Sequence, residues 1–316
     1  MKTFGKTMPT LCFSIAVLTA CGSDEESASG NEAGENEDVT ENEVEHSEAK
    51  EDEVAVKEYE QEGMDSEGSH HEEIQFLEEG EEREAAFTKE DQYLQSGTVI
   101  GGEITDGKVV GKIDHGIHDE YERLVLDIYE GAHHELGDPA EMPNHFEVAK
   151  EAYPSHFVYT LRGIRGLPEE LPDLSTMDLF SSMEMIPYFD DATIQLAVYL
   201  QEPIEFEVFE MHSPAKVVTD VRRITSEEEY PTVYSVRTAS IPQEEYTESF
   251  QLDFEERDAE RVRTVHSEED TIFVEEGYYS TLEEAEERKS SLLDDGIDFD
   301  LHIEERGMYD TPTNIE

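Results

Sequence analysis

The stretch Glu122-Arg123-Leu124-Val125-Leu126-Asp127-Ile128-Tyr129 decides the fold class. Leu124, Leu126 and Ile128 alternate with Val125, Asp127 and Tyr129, the two-residue period of a half-buried strand. Outward from it the same grammar repeats. Upstream, 98–104 reads as a strand with a glycine kink, and 108–113 follows the Asp106-Gly107 turn signal. Downstream, strands are expected at 145–148, 157–164, 186–189, 193–200, 204–211 and 216–221. Short strands at this spacing, separated by Gly, Pro and Asp turns, predict an all-β sandwich or barrel over 96–224. The connection 168–183 is longer, with a helical turn expected near 178–182.

The pattern changes after a charged linker at 224–231. A strand over 232–240 leads into 244–261, where Tyr246, Phe250 and Phe254 recur every four residues, as on one helical face. The piece Phe250-Gln251-Leu252-Asp253-Phe254 reads equally as a strand. Strands follow at 261–265 and 271–275. Ser280 or Thr281 caps the clearest helix, with acids in its first turn. Leu282, Ala285, Leu292 and Leu293 give it an apolar stripe, and Gly296 stops it. A last strand lies at 298–303. Strands interleaved with helices predict a small α+β sandwich over 225–307, followed by a tail, 308–316.

Ahead of these two parts the composition is different. Lys2 and Lys6 precede an apolar run, 11–20, that ends in Leu18-Thr19-Ala20 before Cys21. A charged start, a short apolar stretch and small residues are the layout of a secretory signal over 1–20. Residues 22–95 hold 28 acidic and 4 basic side chains. Such a chain buries too little apolar surface to offset ordering entropy, so 21–95 is expected to be a disordered linker. The sequence as a whole has 81 acidic residues against 22 basic, a net charge of −59. That balance excludes nucleic acid as a partner, since neutralising phosphates requires Lys and Arg. It also implies a salt-rich or alkaline setting, because self-repulsion of this size needs screening.

Three resemblances attach to these residues. Leu18-Thr19-Ala20-Cys21 resembles the lipobox of bacterial lipoproteins. This implies that Cys21 is acylated and becomes the first mature residue, holding the protein on the outer face of the cell membrane. Two acyl chains suffice for stable anchoring. Cys12 would leave with the signal, so the mature chain would carry no free thiol. Residues 118–127, with His118, Tyr121, Arg123 and Asp127, resemble the opening of AMIN-like domains, and 214–221 resembles their closing strand. That family is a small β-sandwich tied to cell-envelope targeting and, in some members, peptidoglycan binding. Finally, Phe273-Val274-Glu275-Glu276-Gly277-Tyr278-Tyr279, Glu283-Glu284-Ala285, Gly296 and Leu301-His302-Ile303 resemble the second half of a SPOR domain. The chain departs from that family at Glu276, where an apolar core residue is usual. The SPOR family binds peptidoglycan glycan strands on the sheet face opposite its helices. By alternation, Ser235, Arg237, Phe273 and Glu275 are expected to form that open face.

No nucleophile elbow, His-Glu-x-x-His or P-loop pattern occurs, so the expectation is a non-catalytic protein without cofactor or metal. His115 and His118 beside Asp119 have ligand-like spacing, but no third ligand is fixed. His70-His71 reads as a solvated polar run, and His133-His134 with Glu135 falls in a loop and is a weaker metal candidate still. Arg123 beside Glu122 and Asp127 reads as a salt-bridged surface residue. The functional expectation is a lipid-anchored envelope protein that binds peptidoglycan through its folded parts. The alternatives are an envelope scaffold that binds another protein and, further off, an accessory to a cell-wall hydrolase.

Overall fold

The computed structural model describes residues 80–132, 135–188, 190–225, 230–259 and 261–316. The signal, Cys21, the acidic stretch up to residue 79, His70-His71 and His133-His134 lie outside the described residues. Gly68–Glu316 forms one compact unit. Its described part is mostly β, with several sheets and two helices.

The first part contributes β1 (Glu82–Glu84), β2 (Gly97–Gly101), β3 (Lys108–Ile117), β4 (Glu122–Ala132), β5 (Glu135–Pro139), β6 (Phe146–Glu151), β7 (His156–Arg162), β8 (Phe180–Ile186), β9 (Thr193–Leu200), β10 (Ile204–Met211) and β11 (Lys216–Arg223). One sheet runs β1-β2-β6-β7-β9-β8, and the other runs β10-β11-β4-β3 with β5 on β4. Both bury their apolar faces in a common core. Leu124, Leu126 and Ile128 of β4 lie within it, as the alternation required. Phe157 meets Phe206 across the core at 5.0 Å between ring centroids, and the Tyr159 hydroxyl donates to Thr219 Oγ1 at 2.6 Å.

Three expectations change here. The acidic linker was drawn to residue 95, yet β1 pairs in parallel with β2, and Leu94 exchanges backbone hydrogen bonds with Phe206. Acidic composition did not preclude order, because the buried Glu207 carboxylate accepts the backbone N–H groups of Glu90 and Asp91 at 2.7 and 3.1 Å. The helical turn near 178–182 and the strand at 186–189 both give way to β8, which starts at Phe180 and ends at Ile186. The buried Glu122 carboxylate accepts the N–H groups of Asp178 and Leu179 at 2.7 and 3.0 Å, fixing the strand entry from outside.

The second part contains β12 (Val233–Thr238), β13 (Ile241–Pro242), α1 (Glu248–Glu255), β14 (Arg263–Ser267), β15 (Thr271–Tyr279), α2 (Leu282–Asp294) and β16 (Leu301–Arg306). The sheet order is β13-β15-β12-β16, with β14 on β15. Phe254 of α1, Ala285 and Leu292 of α2, and Val236, Val274 and Leu301 share one core, so both helices cover the same sheet face. The 244–261 stretch is thus a helix, but a short one, and Tyr246 precedes it, exposed. Leu282 and Leu293 turn outward, leaving Ala285 and Leu292 as the buried stripe.

Strand β15 runs on past the Glu276-Gly277 pair. Val236 faces Gly277 while Arg237 faces Glu275, so Glu276 is the extra residue of a β-bulge. Glu276 is buried on the helix side, where Arg288 of α2 donates to it at 2.7 Å and the Tyr279 hydroxyl at 2.8 Å.

Helix α2 starts on a capping box, Thr281 with Glu284. Thr281→Ala removes the side-chain acceptor for the Glu284 N–H and is expected to lower stability by about 1 kcal/mol in urea titrations.

Candidate functional site

The four residues expected on an open platform do share one face. Ser235 and Arg237 of β12 neighbour Phe273 and Glu275 of β15, opposite the helices. That face is closed, however, and all four are 0 % exposed. Two segments cover it. The turn between β6 and β7 brings Ala152 and Tyr153 against Val233 and Met308. The segment after β16 folds back, where Ile315 N–H donates to Ser240 Oγ and Thr313 N–H to Glu304.

Beneath this cover lies a charge network. Glu275 accepts from Ser235 Oγ at 2.6 Å, from Arg263 Nε at 2.8 Å and from Arg306. Arg237 donates to Glu304 at 2.7 Å and to the Thr313 carbonyl at 3.0 Å, with its guanidinium carbon 3.3 Å from the Phe273 ring centroid. Arg263 and Arg306 both donate to the Tyr153 carbonyl, and Arg263 also meets Glu151. Burial alone would raise the Glu275 carboxyl, but Arg263 and Arg306 hold it down at about 2. These residues join the two parts of the fold.

Of the four residues singled out around 118–127, Arg123 and Asp127 stand on β4 and His118 and Tyr121 in the turn before it. Arg123 binds Asp220 through two bonds, at 2.6 and 2.8 Å, rather than Glu122 or Asp127 as expected. Asp220 is fully buried and also takes Lys89 Nζ at 2.9 Å. Lys89 lies 3.6 Å from the Tyr121 ring centroid, and His118 stacks on Tyr121 at 4.5 Å. Asp127 pairs with Lys216 instead. The group is a tie between β4, β11 and the segment before β2. The sequence could not show Asp220 as the partner, because 97 residues separate it from Arg123.

Two further junction groups have unusual chemistry. Lys150 Nζ donates to Ser155 Oγ at 3.0 Å, a pairing that resembles an activated nucleophile. Ser155 is only 1 % exposed, so no substrate can approach it. Burial pulls the Lys150 ammonium down to about 8, against a small opposing effect of Glu151. Nearby, His266 hydrogen-bonds Tyr199 Oη through Nδ1 at 3.1 Å and the Met185 carbonyl through Nε2 at 3.1 Å, which places its proton on Nε2. His156 Nδ1 lies 2.7 Å from the Pro154 carbonyl. Burial lowers His266 to about 4, and burial together with the Arg263 charge lowers His156 to about 3.

The open site is a cleft of about 620 Å³ where the β1-β2-β6 edge meets the second part. Glu82, Thr98, Glu147 and Glu151 line one wall, and Arg261, Arg263 and Tyr278 the other. Tyr278 receives a hydrogen bond from Arg261 at 3.4 Å, packs at 5.3 Å from Tyr153, and has the Arg263 guanidinium carbon 5.3 Å from its centroid. In an otherwise acidic molecule, carboxylates and guanidiniums here face each other in near balance. Sequence reading missed the cleft because its walls come from strands far apart in the chain. Only the aromatic pair Tyr278-Tyr279 gave a signal.

Stability is expected to rise with pH in two windows. As pH falls from about 6.5 to about 4, the unfolded chain takes up protons that the native His156 and His266 refuse. Each ring then removes about 1.4 kcal/mol per pH unit at most. Between about 8 and 10.5 the native Lys150 has shed a proton that the unfolded chain still holds, so stability climbs again. Urea midpoints measured across pH check both: His266→Gln should shallow the acid limb and Lys150→Met should flatten the alkaline one. No protein-family model, curated protein or solved structure matches this chain.

Proposed function

We propose that this chain is a lipid-anchored, extracytoplasmic binding protein, without catalytic activity, that holds peptidoglycan glycan strands in the cleft between its two parts. The carrying observation is the cleft itself, an open, charge-balanced trough with a tyrosine in its wall on a strongly acidic molecule. Carboxylates accept from sugar hydroxyls, guanidiniums donate to ring and acetamido oxygens, and an aromatic ring packs on the apolar face of a sugar. A polyanion would require an excess of cations, which these walls do not have.

The finer fold reading belongs with this proposal. Two sheets around one core favour an AMIN-like β-sandwich for the first part. A sheet with two helices on one face, the order β13-β15-β12-β16 and the capped α2 favour a SPOR-like α+β sandwich for the second. Both likenesses extend to architecture only, because the sheet face on which SPOR domains bind glycan is covered here. Anchoring through Cys21 rests on the lipobox-like residues. Among the described residues no helix is long and apolar enough to cross a membrane.

Two measurements test the proposal. Mass spectrometry of the detergent-extracted protein should find a diacylated Cys21 at the mature amino end, and Cys21→Ser should release the protein from membranes. Full-length protein in detergent should co-sediment with purified wall sacculi in 1 M salt, and Tyr278→Ala should weaken that binding at least tenfold. Retention by protein-coated beads but not by sacculi would favour the scaffold reading instead.

A further inference from the structure

The cleft does not end at Tyr278. A second hollow of about 350 Å³ opens on the far side, lined by Asp258, Gly277, Tyr279 and Arg288, and it shares Arg261 and Tyr278 with the first. The two hollows thus adjoin at the Arg261–Tyr278 pair, which lines both. The second hollow repeats the chemistry of the first, since Asp258 and Glu276 stand with Arg261 and Arg288. Alternation puts the consecutive tyrosines on opposite sheet faces, and the bulge at Glu276 decides which goes where, Tyr279 toward the helices and Tyr278 toward the junction.

We infer that the two hollows are successive subsites of one groove for an extended, net-uncharged polysaccharide chain that crosses from the first part of the fold to the second over Tyr278. This rests on the glycan reading above and adds ligand length and path to it. A short oligosaccharide fills one subsite. A longer one occupies both, and the second set of contacts is gained without a second loss of translational freedom, so affinity climbs in a step and not in proportion to length. Because the walls belong to both parts, a spanning ligand also braces their junction and raises the unfolding temperature more than a short one does. A polypeptide in the groove is the competing occupant. It would show no preference for sugars and no step with sugar length.

The test is titration calorimetry on full-length protein in detergent with β-1,4-linked N-acetylglucosamine oligomers of two, four and six sugars. The expected result is a gain of at least tenfold in affinity between the dimer and the longer oligomers, with a larger rise in melting temperature. Asp258→Gly should abolish the step; its backbone φ of +58° is one that glycine adopts readily. Arg288→Lys, which keeps a charge beside Glu276, should reduce the step as well, guarding against a folding defect in either variant. Equal affinity for all three lengths, untouched by both variants, would overturn the two-subsite inference and leave the glycan reading standing. Absence of binding at every length, with sacculi also ignored, would overturn both.

Discussion

The junction between the two parts depends on three arginines and two glutamates taken out of water together. Moving ions from water into a protein interior costs several kcal/mol each, and the attraction between them offsets this only when the remaining donors and acceptors are also met. Here they largely are. The Glu275 oxygens are filled by Ser235, Arg263 and Arg306, and Glu304 by Arg237 and Thr313. The Tyr153 carbonyl draws two of the arginines toward the first part of the fold. One partner cannot be removed without stranding another, so the arrangement specifies how the parts dock more than it adds to net stability.

The same network explains what could and could not be read from the sequence. Strands such as β4 and β9 to β11 declared themselves in the sequence, because burial of one face is a local property of a strand, whereas β1, β5 and β8 did not. Alternation also placed Ser235, Arg237, Phe273 and Glu275 together on one side of a sheet. What it could not supply was what lies above that side, which depends on Tyr153 about eighty residues upstream and on residues downstream of β16. A polar face looks the same in sequence whether it meets water or a matched set of charges.

Glu122, Glu207 and Asp220 give the same lesson in smaller form. In a chain with 81 acidic residues nothing in the sequence sets them apart from the rest. Each is instead buried and fixed by donors, backbone N–H groups for Glu122 and Glu207, and Arg123 with Lys89 for Asp220. An abundance of acids hides the few that act as clasps. The cleft escaped notice for a related reason, since its balance of charge appears only when walls distant in sequence are brought face to face.

The bulge at Glu276 has an importance beyond its size. One inserted residue reverses the inside–outside phase of everything after it on β15, and that reversal decides which of two adjacent tyrosines faces the junction and which the helices. Loss of that single residue would leave the composition almost untouched and yet turn the end of the strand inside out. The ring at the groove boundary would enter the helix core, and its neighbour would take the place at the junction. The placing of both rings is thus vulnerable to a length change of one at Glu276.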